Sequence, residues 1–284
     1  MDDFRKQMAA LTYELALSRL AATRDPRELC LCTTQCFSQG PEDGIIAEIF
    51  RRIGARDRFF IEIGAGDGRE NTSRLLLTLG WSGIWVEGSA GSCAAIREQF
   101  AGALASGQLK LIEAMVTAEN IETLLAEQEA PHHFDYLSVD LDMNTYYIWR
   151  ALGRYKARAA CIEYNASIPP SHDFVVPYDP AGIWDGSNFY GASLKALERL
   201  GASEGYRLVG CDLYGVNAFF IGADADAAGF VEPFTAEKHY QPPNYLAPLR
   251  HGHWPAAPGL SNPYSGISSD PARYPLASER FFSG

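Results

Sequence analysis

The twelve residues FFIEIGAGDGRE, Phe59 to Glu70, constrain this chain more than any other stretch. A short apolar run ends in glycines at alternate positions, Gly64, Gly66 and Gly68. Bounded in this way, the run reads as a buried strand. Glycine admits positive φ and lets another group approach the main chain closely. Three of them directly after a strand therefore predict a turn with something lying against its backbone.

The rest of the chain supplies the partners such a strand needs. Strands are expected over 59–63, 83–87, 109–113, 135–140 and 158–163, and helices over about 70–79, 91–101, 119–128, 144–153 and 191–203. Strict alternation of this kind predicts a parallel sheet with helices on both faces. The stretch SQGPEDGIIAEIFRRIG sets Ile45, Ile46, Ile49, Phe50 and Ile53 on one helical face ahead of the first strand. Further on, YRLVGCDLYGVNAFFIG reads as two strands joined through Tyr214 and Gly215, an antiparallel hairpin closing the sheet.

Both ends depart from this pattern. Phe4, Met8, Leu11 and Leu15 recur at helical spacing behind Asp2 and Asp3, so an amphipathic helix is expected over 4–22. Nine of the sixteen prolines fall between Pro233 and Pro275, among Tyr240, Tyr245, Trp254, Tyr264 and Tyr274. That density excludes long regular elements, and the aromatics favour an ordered wrap over a solvated tail. The chain divides into an N-terminal helical extension at 1–37, a central domain at 38–232 and a Pro/aromatic-rich tail at 233–284. Apolar groups flanking the domain need a surface to cover, so a homo-oligomer is expected.

Charge narrows the choice of partner. With a formal net charge of -11 and no cluster of Lys and Arg, the chain is unsuited to nucleic acid, and a small molecule is expected instead. No segment approaches the roughly 18 apolar residues of a membrane span, and MDDFRKQM lacks a secretory apolar core, so a cytoplasmic protein without a membrane partner is expected. The six cysteines include the cluster CLCTTQC, but Cys30 and Cys32 are too close for a usual zinc pair and no second pair follows. Reduced, half-buried thiols are expected there.

A dinucleotide fingerprint would require G-x-G-x-x-G, and Arg69 stands where the third glycine would fall. The motif present is E-x-G-x-G-x-G, beginning at Glu62. The second strand ends in IWVEGS, with Glu87 at its tip nineteen positions after Gly68. A carboxylate there can hold a ribose diol through charge-assisted hydrogen bonds. The combination describes an adenosine site without a pyrophosphate.

With these residues the chain resembles the S-adenosylmethionine-dependent class I methyltransferases, most closely the FkbM-like group. The resemblance spans Ser38 to Gly222 and rests on SQGPEDG, IEIGAGDG, WVEGS, FDYLSVDLD, CIEYN and GYRLVGCDLYGVNAFFI. It implies a seven-stranded, mostly parallel Rossmann-like sheet with a reversed last strand. It also implies that Gly64, Gly66 and Gly68 lie under the methionine part of the cofactor, that Glu87 holds the ribose, and that Asp140 sits beside the sulfonium. Gln39, Glu62 and Ser89 complete the implied cofactor set.

The chemistry is expected at the carboxyl ends of the strands, where open α/β sheets bind ligands. VDLDMN brings Asp140 and Asp142 to the end of the fourth strand, and IEYN brings Glu163 and Asn165 to the end of the fifth. Oxygen ligands on adjacent strand ends suit a hard cation, so Asp140, Glu163 and Asn165 are a candidate site for Mg2+ or another divalent ion. The arrangement looks like that of cation-dependent catechol and caffeoyl-CoA methyltransferases, except that Tyr164 separates Glu163 from Asn165. Between Asn165 and Gly191 runs a loop long enough to be a lid, carrying His172, Asp173, Tyr178, Asp179, Trp184, Asp185 and Tyr190. Candidate bases are His172, Asp140 and Asp142.

The expected function is methyl transfer to oxygen of a polar small molecule, a sugar or a specialised metabolite. A small-molecule amine is the alternative acceptor. A catalytically silent binding module and a nicotinamide oxidoreductase are the readings from other classes, disfavoured by the complete glycine–Glu87 set and by Arg69 respectively.

Overall fold

The computed structural model describes residues 11, 15 and 17–243. Its centre is one seven-stranded sheet in the order β3-β2-β1-β4-β5-β7-β6. The strands are β1 (Phe59–Ile63), β2 (Ser82–Glu87), β3 (Leu109–Glu113), β4 (His133–Val139), β5 (Lys156–Glu163), β6 (Tyr206–Cys211) and β7 (Asn217–Gly222). The first five run parallel, β7 pairs antiparallel with β5, and β6 closes the edge antiparallel to β7. The hairpin read from the sequence thus reverses one strand of an otherwise parallel sheet. Chain order changes direction between β1 and β4, and such a switch point opens a crevice beyond the carboxyl ends of those two strands.

Alternation along β1 explains the two layers. Ile61 and Ile63 pack with Ile84, Val86, Val139 and Ile162 on one face. Phe60 packs on the other face with Phe50, Trp81, Trp85 and Tyr136. Both faces are covered, so the strands in the middle of the sheet are largely apolar.

The helices are α1 (Glu42–Ile53), α2 (Arg74–Thr78), α3 (Ala90–Gln99), α4 (Ala101–Ala105), α5 (Ile121–Glu127), α6 (Thr145–Ala151), α7 (Leu194–Ser203) and α8 (Ala236–His239). Two differ instructively from the expectation. The helix expected over 70–79 shortens to α2, because Asn71, Thr72 and Ser73 fold around the Glu62 carboxylate instead. The helix expected over 91–101 stops at Phe100, whose ring meets Trp85 edge-on at 4.8 Å, and α4 restarts behind it. Side-chain caps fix other starts: Ser89 accepts from Ser92 N at 3.3 Å and Ser193 from Ala196 N at 3.1 Å.

Residues 17–23 are helical, and the remainder of the helix expected over 4–22 lies outside the described residues except for positions 11 and 15. The tail expected to wrap the domain is described only as far as Pro243. That first part does pack on the domain: Tyr240 donates to Ala166 O at 2.6 Å, and Gln241 O accepts from the buried Tyr164 at 2.8 Å. All six cysteines are free thiols. No helix among the described residues is long and apolar enough to cross a membrane.

Candidate active site

The three glycines after β1 do three different things. Gly64 has φ +88, and a Cβ there would fall 1.9 Å from the carbonyl oxygen of Asp140. It lets the end of β4 close against the end of β1, where Asp140 N donates to Ile63 O at 3.0 Å. Gly68 has φ +78, and a Cβ would run into Phe100 and Trp85. Gly66 has φ +56, yet a Cβ there would meet nothing within 4 Å. Packing requires the outer two, whereas the middle one presents bare backbone to open space.

Glu87 reaches this turn from the tip of β2. One carboxylate oxygen accepts from Gly66 N at 2.8 Å and the other from Ser89 N at 2.7 Å. The side chain is thereby aimed at the bare backbone while remaining half-open to solvent. Gln39 is exposed on the neighbouring segment, its backbone N–H donating to Glu70 O at 3.1 Å just past the glycines. Glu62 lies beneath, buried, and its two oxygens accept from Asn71 Nδ2, the Thr72 and Ser73 amides, and both hydroxyls. Burial raises its pKa against the lowering effect of these donors. It holds the turn that carries the site, and its oxygens are already engaged.

Beyond β4 and β5 three carboxylates converge. Asp140, Asp142 and Glu163 each offer an oxygen within 4.8 Å of the others. Asp142 has φ +48, a left-handed conformation that Asp tolerates better than most residues. Although Asp140 is exposed at the strand end, desolvation by the surrounding chain, then the neighbouring Asp142 charge, raises its carboxyl to about 6. Glu163 is raised well above the usual carboxylate range by burial and by both aspartates. Desolvation and the proximity of like charges thus both oppose full ionisation of the cluster. Thr145 supports it, donating to Glu163 at 3.4 Å and accepting from Leu141 N at 2.9 Å.

Asn165, grouped with Asp140 and Glu163 on sequence grounds, is occupied elsewhere. Its amide nitrogen donates to Asn188 O and Tyr190 O at 2.8 and 2.9 Å, and its oxygen accepts from Ser167 N at 3.0 Å. It is fully buried and anchors the long loop, and the third carboxylate of the cluster is Asp142. His172 is exposed, pairs through Nδ1 with Ser171 Oγ at 3.1 Å, and does not belong to the cluster. Asn144 and Thr145 went unforeseen, although polar residues at a helix start directly after VDLDM were a visible signal. Asn144 donates to Asp179 O at 2.7 Å and holds the loop close behind Asp142.

The oxygens of the cluster are hard donors, of the type Mg2+ takes, and the bare Gly66 backbone facing Glu87 fits the adenosine-containing cofactor implied by the motifs. A cleft of about 860 Å³ lies elsewhere, between Thr23–Glu28 and Ala228–Tyr240. Its charges are largely paired, Arg24 and Lys238 with Glu28 and Arg27 with Asp25.

No protein-family model matches the chain, and no curated protein matches its sequence. Solved structures share part of its backbone arrangement. The pyocyanin biosynthetic protein PhzM is 14% identical with a TM-score of 0.37, the match covering 63% of this chain and 54% of that one. The N-terminal domain of EvdMO1 with SAH bound is 14% identical with a TM-score of 0.41, covering 66% and 82%. The O-methyltransferase from Bacillus cereus in complex with SAH is 16% identical with a TM-score of 0.41, covering 62% and 77%. This chain therefore spans little more than half the length of the first of these. Such likenesses carry no inference about function, and the fold is read from the strand order itself.

Proposed function

We propose that the protein is an S-adenosylmethionine-dependent methyltransferase of the FkbM-like group, acting on oxygen of a polar small molecule such as a sugar or a specialised metabolite. The observation that carries this reading is the Glu87 carboxylate directed at the bare Gly66 backbone, with Asp140 drawn against Gly64 on the same turn. Glu87 would hold the ribose hydroxyls, Gly64 and Gly66 would give the methionine part access to the main chain, and Gln39 would flank them. The cofactor supplies an electrophilic methyl group when bound.

The remaining work belongs to the chain itself. An acceptor must be oriented with its lone pair on line, and it must lose its proton as the new bond forms. Asp140, raised to about 6 by desolvation and by the Asp142 charge, is mostly ionised at pH 7 and would take that proton before passing it to solvent. Asp142 and Glu163 would hold neighbouring hydroxyls of the acceptor. The loop anchored by Asn165 and Asn144 would exclude water.

A second reading, transfer to an amine, is favoured by the cluster itself. Asp140, Asp142 and Glu163 lie close together, so their ionised members would draw in a cationic acceptor and one of them would take up its proton. Calorimetry with S-adenosylhomocysteine tests the cofactor assignment, and radiolabelled methyl transfer to panels of hydroxyl and amine compounds tests the acceptor. Absence of binding in the calorimeter would remove the proposal.

A further inference from the structure

Two segments that border the site are joined through the Tyr178 side chain. The first follows β3. Ala114 N donates to Glu87 O at 3.0 Å, which ties this segment to the tip that carries the ribose-binding candidate. Met115 is 65% exposed there and lies against Gly88, where a Cβ would meet its sulfur at 2.5 Å. Asn120 closes the segment on itself, accepting from Thr117 N at 2.8 Å and donating to Met115 O at 2.9 Å.

The second segment is the long loop. Its Tyr178 hydroxyl accepts from Ala118 N at 3.0 Å and donates to Glu119 at 2.7 Å. The ring packs on Tyr147 at 4.9 Å, and Tyr147 in turn donates to Val176 O at 2.8 Å. Next along the loop, Asp179 is held by Asn144, two residues after Asp142. Between Asp179 and Asn188 the hydrogen bonds of the described residues 181–187 are internal turns, Ala181 and Gly182 on Asp179, Ser187 on Asp185, and the Trp184 indole on Ser187. Ile183 and Trp184 are 83% and 45% exposed at this tip. The tip therefore hangs between two anchors, Tyr178–Asp179 on one side and Asn165 on the other.

We propose that Tyr178 is a positioning residue that couples the cofactor side of the site to the acceptor loop, so that filling the cofactor side orders the 180–187 tip. The coupling rests on the cofactor reading above. Order imposed on the segment after β3 restrains the Ala118 amide and Glu119. Those two groups hold the tyrosine hydroxyl, and the hydroxyl holds one end of the tip. Such coupling is reciprocal, so whatever protection the ligand gives the tip, the latch must return as ligand affinity.

The test uses the full chain and S-adenosylhomocysteine. Hydrogen exchange is followed across 176–190 with and without ligand, and affinity is measured by calorimetry in wild type, Tyr178→Phe and Glu119→Ala. Tyr178→Phe keeps the ring stack, and Glu119→Ala changes only a surface carboxylate, so neither depends on refolding of the core. Ligand is expected to slow exchange of the wild-type tip by roughly three- to tenfold, the worth of one or two hydrogen bonds, and both variants should lose most of that slowing. Affinity should fall by the same factor, a match that a merely structural role would not produce. Ligand binding with equal tip protection in wild type and variants, or with none in wild type, would overturn the coupling alone. Failure of wild type to bind at all would overturn the cofactor reading and the coupling together.

Discussion

A Cβ placed on Gly64 would lie 1.9 Å from the carbonyl oxygen of Asp140, so the ends of β1 and β4 meet through a residue that has no side chain to give. The same strand ends carry the glycine turn on one side and the acid cluster on the other, and the contact fixes their separation. Gly66, two residues on, faces open space.

This contrast separates stability from binding. Gly64→Ala is expected to cost about 3 kcal/mol or more, from a clash with backbone added to an unfavourable φ. Gly66→Ala meets only the φ penalty, roughly 1–2 kcal/mol, but puts a methyl group where the ligand's approach is proposed. Urea denaturation and S-adenosylhomocysteine titration of both variants check this. A Gly66→Ala protein that binds as wild type does would remove Gly66 from the site.

Glu87→Gln should weaken S-adenosylhomocysteine binding by roughly 10- to 150-fold, the range for a hydrogen bond to a charged group. Stability should change little, because the side chain is half-open to solvent and its partners are two turn amides. Affinity within twofold of wild type would show that this carboxylate is not the ribose acceptor.

The acid cluster makes stability depend on pH in a definite direction. Asp140 has its pKa raised to about 6, above that of the unfolded chain. The folded state therefore holds a proton that the unfolded chain has released, and the associated stability is whole below the unfolded pKa and lost as pH rises through about 6. Glu42, raised to about 8, and Asp212, raised to about 6, add the same sign from a separate buried site. Glu163→Gln should flatten only the cluster's share, raising stability at pH 8 by about 1 kcal/mol once the exposure of the aspartates is allowed for. Thermal melts of wild type and variant from pH 4 to 8 measure the difference.

If the cluster takes a divalent ion, that ion competes with the same protons. Magnesium or manganese at millimolar concentration should raise the melting temperature at pH 8 and have little effect at pH 5. An equal shift at both pH values, or in Asp142→Asn as in wild type, would place the ion elsewhere.

Asn165→Ala discriminates between a ligand and an anchor. Loss of its three hydrogen bonds, two of them to loop carbonyls, should cost about 2–3 kcal/mol and open the 188–190 segment to protease. The response to divalent ions should persist. Disappearance of that response in a variant with an intact loop would restore Asn165 to the ion.

The sequence by itself determined the alternation of strands and helices, the reversed hairpin at the sheet edge, the need for glycine after β1 and a carboxylate at the tip of β2. These features are local: period, φ preference and turn chemistry are written within a dozen residues. Only the tertiary structure decided how each polar side chain is used. Glu62 closes on Asn71–Ser73 and thereby shortens a helix that periodicity had extended. Asn165 looks like a ligand beside Glu163, until the loop returns Asn188 and Tyr190 to it and takes up its amide. Asp142, in a left-handed backbone conformation, joins Asp140 and Glu163 in the folded chain. A hydrogen-bond partner two dozen residues away, or across the sheet, leaves no periodic trace, and burial obliges each polar group to take whichever partner the fold delivers.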